Sequence, residues 1–151
     1  MAATPIWGQV CTHLVAVLTG ATELAGVQVL DGWPGDLDMI GPETLVVDDE
    51  IDSVASMPVA VGGVKPYDDI FEVRILAHVR GRITRAATRE RLAEIEAAVH
   101  SVLAADPSLS DLDGVLSAGI VRRRHQIQMT ADGALSYAEI TLSVHSRLSP
   151  Y

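Results

Sequence analysis

Residues 70–82 read IFEVRILAHVRGR, and Phe71, Val73, Ile75, Ala77 and Val79 alternate there with Glu72, Arg74, Leu76, His78 and Arg80. A period of two puts successive side chains on opposite faces of an extended chain, so this stretch predicts a long strand with one apolar face. The pattern returns in SYAEITLSVHSRL, 136–148. There Ala138, Ile140, Leu142, Val144 and Leu148 share one side while Glu139, Thr141, Ser143, His145 and Arg147 take the other. Residues 115–129 form a further extended run, joined to the last one through Ala131-Asp132-Gly133, whose Asp-Gly pair signals a hairpin. An ordered strand, rather than a tether, is therefore expected at the C-terminal end.

Upstream, Thr4-Pro5 fits an N-cap followed by proline at the first helical position. Ile6, Val10, Leu14, Val17 and Trp7, Cys11, Leu14, Leu18 then recur at helical spacing up to Gly20. Thr84 is placed to cap a second helix with the stripe Leu92, Ile95, Val99, Val102 and Leu103, ended by Asp106-Pro107. A short strand is expected at Val27–Leu30, then a loop in DGWPGDLDMIGPE, then one or two strands over 44–61, then a loop in GGVKPYDD. Helix, strands, helix and hairpin in that order leave no room for repeated crossover connections. The predicted fold class is α+β, a mainly antiparallel β-sheet covered by two α-helices in a single domain spanning 1–151.

With 48% hydrophobic but 4% aromatic residues, the core has to come from Val, Leu, Ile and Ala. Cys11 stands alone, which excludes an intrachain disulfide and a Cys-rich zinc site and suits a reducing compartment. The first residues lack a basic segment of the signal-peptide type, and no run approaches the ~20 apolar residues of a membrane span. The formal charge of −9 is lopsided: residues 1–64 hold nine acids and no Lys or Arg, whereas from Lys65 onward eleven acids face eleven bases. Such asymmetry orients a subunit against charged neighbours, or serves solubility.

Five histidines, His13, His78, His100, His125 and His145, lack the spacing of a metal site. Asp48-Asp49-Glu50-Ile51-Asp52 lacks the glycine and later glutamate of a calcium loop and reads as a solvated acidic turn. Cys11 lies on the apolar stripe with no basic neighbour, Gly62-Gly63 belongs to no phosphate-binding pattern, and there is no GxSxG elbow. No catalytic residue, metal or cofactor is expected. Arg122-Arg123-Arg124 is the sharpest feature: Arg122 and Arg124 would share a face with Ile120, Gln126 and Gln128, and Arg123 with Val121, His125, Ile127 and Met129. The triplet reads either as a contact to an acidic surface or phosphate, or as solvated edge charge that discourages aggregation. An acidic, aromatic-poor chain is not expected to bind DNA as its task.

Five segments in this order, TPIWGQVCTHLVAVL, ETLVVDDEIDSV, IFEVRILAHVRG, TRERLAEIEAAVHSVLAAD and HQIQMTADGALSYAEITLSVHSR, resemble a phage tail terminator of long non-contractile tails. The likeness is one of order and style over the whole chain. It implies a non-enzymatic virion subunit, assembled in the host cytoplasm, that forms a hexameric ring on the tail tube. Such a ring halts tube polymerisation, docks the head's neck protein and lets DNA pass without specific binding. Related connector and head-completion subunits share this style. A small α+β enzyme or ligand-binding dimer, centred on His78 and His125, is the alternative from another class. The expected protein interface comprises Trp33, Asp48, Asp49, Glu50, Lys65, Tyr67, Arg122, Arg123 and Arg124, with residues 31–69 meeting tube and neck.

Overall fold

The alternating segment 70–82 is the middle strand of a five-stranded sheet. A computed structural model of the chain describes residues 6–56, 67–82, 84–110, 112–130 and 133–148. Helix α1 (Trp7–Gly20) leads through a short helical turn into β1 (Gln28–Asp31), followed by β2 (Glu43–Ser56), β3 (Tyr67–Arg82), α2 (Arg85–Ala104), β4 (Val115–Thr130) and β5 (Gly133–Leu148). The sheet order is β1-β2-β3-β5-β4. Three of the four pairings are antiparallel and β1 runs parallel to β2, so the sheet is mixed, in an α+β fold.

Both helices cover one face of the sheet, α1 over β1 and β2, α2 over β3, β5 and β4. That face carries the apolar half of each alternation. Leu45, Val47, Phe71, Val73, Ile75, Ala77, Val79, Ala138, Ile140, Leu142 and Val144 are all buried against Val10, Leu14, Leu18, Leu92, Ile95, Val99 and Leu103. Aliphatic side chains alternating on a pleated strand and recurring every three to four residues on a helix close one dry layer between them. Thr84 caps α2 as expected, its hydroxyl accepting from the Ala87 amide at 3.1 Å.

Several local expectations are corrected. Helix α1 starts at Trp7 with Ile6 in the cap position, and the cap expected at Thr4-Pro5 lies outside the described residues. Trp7 stands 41% exposed rather than joining the buried stripe. Residues 67–69 are strand, not loop, because Tyr67, Asp68 and Asp69 pair with Leu148, Arg147 and Ser146. The loop and strand expected over 57–66 lie outside the described residues. Register shifts between Val115 and Ser117 and between Ile120 and Arg122 interrupt β4. The second of these inserts one extra residue, and an odd insertion reverses which face the following side chains take.

Candidate interaction surfaces on the open sheet face and its edges

The face away from the helices is a lattice of cross-strand rows. Thr44, His78, Tyr137 and Gln126 form one row over β2, β3, β5 and β4. Val46, Leu76, Glu139 and Arg124 form the next, and Asp48, Arg74, Thr141 and Arg122 the third. Directly opposed side chains on one face are close enough to interact. The third row does so through Arg74, which donates to Asp48 at 2.7 Å and lies 3.6 Å from Glu50. Asp48 is therefore buried and paired inside a strand, not part of a solvated turn; Asp49 and Glu50 remain exposed. A buried carboxylate needs such a partner, and the matching Arg74 is the nearest residue across the ladder.

The connection from β1 to β2 folds onto this face. The Gln28 side chain donates to the Met39 carbonyl at 3.2 Å and accepts from the Gly41 amide at 2.8 Å, while Arg80 donates to the Ile40 carbonyl. Gly32 makes the turn with a φ of 76°, its amide donating to Val47 at 2.9 Å, and an added Cβ would stand 3.3 Å from the Asp49 carboxylate. Glycine is the residue that meets both demands. Trp33 is thereby held edge-on to His78, ring centroids 5.6 Å apart, and His78 stacks on Tyr137 at 6.0 Å. Burial, and then the charge of Arg80, hold the His78 imidazole below its ordinary pKa.

At the far end of β3 and β5, Arg147 donates to both oxygens of Asp68 at 2.7 and 3.1 Å, with His145 3.3 Å away. The guanidinium holds that carboxyl below the usual carboxylate range. On the helix face, Arg123 lies 3.4 Å from Glu96 of α2, and His125 is paired with the same carboxylate. Burial first, and then the Asp31, Asp49 and Asp48 charges, push the Cys11 thiol up to about 11, as suits a core residue.

The arginine triplet is thus divided. Arg122 and Arg124 lie on the open face beside Thr141 and Glu139. Arg123 lies on the helix face beside Ile140, and Arg122 is 3.5 Å from Glu72. Ile120 does not share a face with Arg122 and Arg124, as the uninterrupted alternation predicted; the register shift sets it beside Leu142, packed against the core. His78 and His125 are not on neighbouring strands, since β5 separates β3 from β4, and they project from opposite faces. The polar centre expected of the enzyme alternative is not assembled. Lys65 lies outside the described residues, and Tyr67 opens β3.

Glu96 escaped the sequence reading although it is 8% exposed and ties α2 to β4. Its signal was an acid one position from Ile95, inside the buried stripe. Among the described residues no group of three or more His, Cys, Asp or Glu is placed to hold a metal ion, and no helix is long and apolar enough to cross a membrane.

No protein-family model and no curated protein matches the chain. Among solved structures it is similar to a chain of one described as "Virion of native gene transfer agent (GTA) particle". The likeness covers 91% of this chain and 84% of that one, at 14% sequence identity and a TM-score of 0.39.

Proposed function

We propose that the protein is a structural virion subunit that assembles head to tail into a ring closing the head-proximal end of a phage tail tube. The observation that carries this reading is that the two sheet edges differ in charge. β1 covers β2 only through Thr44–Val47, so the outer side of β2 from Asp48 to Ser56 has no strand partner among the described residues. It carries the exposed Asp49, Glu50 and Asp52. The opposite edge is β4, without a strand on its outer side over Val115–Thr130 among the described residues and carrying Arg122, Arg123 and Arg124, all exposed. Unpaired edges are templates for another strand, and opposite charges on the two ends of one sheet favour a heterologous contact, which closes into a ring when the rotation allows.

The resemblance in segment order to tail terminators supplies the rest of the proposal: six copies per ring, the tail tube protein beneath and the neck protein above. A net charge of −9 per copy suits a lumen through which DNA passes without being held. Other connector and head-completion rings would use the same edges.

Mass measurement in solution, with purified tail tubes added and withheld, tests the proposal. Wild type should form a closed ring, alone or on the tube end, and Arg122→Ser with Arg124→Ser should weaken ring formation while the monomer stays folded. Raised salt should act in the same direction. A protein that stays monomeric with tubes present, or a ring indifferent to both charges and salt, would refute it.

A further inference from the structure

The aromatic cleft on the open face shares Glu50 with the acidic edge proposed for the ring, but its His78 and Tyr137 walls stand on the inner strands β3 and β5. It has a volume of about 380 Å³, between the rings of Trp33, His78 and Tyr137 and the carboxylates of Asp48, Glu50 and Glu139. Its walls are the Trp33, His78 and Tyr137 rings, with Trp33 46% exposed. Its rim is acidic: three carboxylates stand against the single guanidinium of Arg74, which Asp48 already pairs. Glu139 makes no ion pair among the described residues, and the Glu50 side chain is 85% exposed.

We propose that this cleft receives an arginine side chain presented by a partner protein other than a second copy. An aromatic wall attracts a cation through its π face, and a planar guanidinium both stacks on the ring and bonds a carboxylate with two parallel N–H groups. The His78 ring serves as a neutral wall: its Nε2 is covered and makes no hydrogen bond among the described residues, and burial disfavours the protonated form that would repel the guest. The cleft opens on a sheet face instead of enclosing its guest, which suits a side chain delivered by a protein surface better than a free small molecule. Of this chain's own arginine triplet, Arg122 and Arg123 already stand within 3.5 Å of Glu72 and Glu96, which leaves Arg124, across from the cleft's own Glu139, as the one donor a second copy could offer from it.

The probe is N-acetyl-arginine methylamide, with the neutral isostere N-acetyl-citrulline methylamide as control, titrated into the whole protein and followed by NMR. Saturable shifts of the Trp33 indole and Tyr137 ring resonances are expected with arginine alone, while the Trp7 indole stays still. Glu139→Gln should weaken the response by about threefold or more, the loss of one exposed charge-assisted contact. Absence of saturable shifts, or equal shifts with citrulline, would overturn the proposal. So would the same shifts on concentrating the protein alone if Arg124→Ser abolishes them, since the guest would then be a second copy. Failure of ring formation leaves these outcomes unchanged.

Discussion

Replacing Leu142 by alanine tests the central claim about the sheet. Leu142 is 1% exposed in β5, opposite Val73 on β3 and Ile120 on β4. The substitution removes three carbons, worth about 2.4 kcal/mol at ~0.8 kcal/mol per buried methylene. A residual cavity of ~50 Å³ would add about 1.2 kcal/mol. The total, about 3–4 kcal/mol, is a large part of the ~5–15 kcal/mol that holds a typical domain together. At ~2–4 °C per kcal/mol for a chain of this size, the melting temperature should fall by roughly 6–16 °C. Thermal unfolding followed by circular dichroism, with urea unfolding as a second measure, reads it directly. Val121→Ala, at a position 57% exposed in the register shift, serves as the control and should move stability by less than about 0.5 kcal/mol. A Leu142→Ala protein melting within about 2 °C of wild type would refute the burial of β5 and with it the strand order.

Thr84→Ala removes the oxygen that accepts from Ala87 and should lower stability by about 0.5–2 kcal/mol, read as a shift in urea midpoint; no shift would mean the cap contributes nothing. Asp68→Asn should destabilise at neutral pH. Because the folded Asp68 pKa is depressed by Arg147, the contribution is present above the ordinary carboxylate value and lost as pH falls through the folded one. The melting gap between wild type and variant should therefore close in acid, and a gap constant from pH ~7 to ~3 would contradict the ion pair. Cys11, buried with its thiol pushed up to about 11, should resist a thiol-disulfide reagent near pH ~8 until urea unfolds the chain. Rapid labelling of the native protein would show the α1 face to be open.

What the sequence determined by itself was everything that repeats locally. The alternation in 70–82 and 136–148, the helical stripe from Leu92 to Leu103, the Thr84 cap and the hairpin between β4 and β5 all follow from periods of two or 3.6 and from side chains acting within a few residues. The uneven charge was legible in the same way. Tertiary structure alone decided who stands next to whom. Nothing in Val27–Leu30 marks β1 as parallel to β2, and no composition announces that β5 enters between β3 and β4 and so parts His78 from His125. One extra residue at Val121 leaves the alternation of residue types unbroken on paper, yet it turns Ile120 to the core and Arg122 to the open face. Asp48 read as solvent-facing because its neighbours are acidic, whereas the register with β3 supplies Arg74 and buries it. Faces are set by neighbours a few bonds away; partners are set by register across strands tens of residues apart, where a single insertion reverses every side chain beyond it.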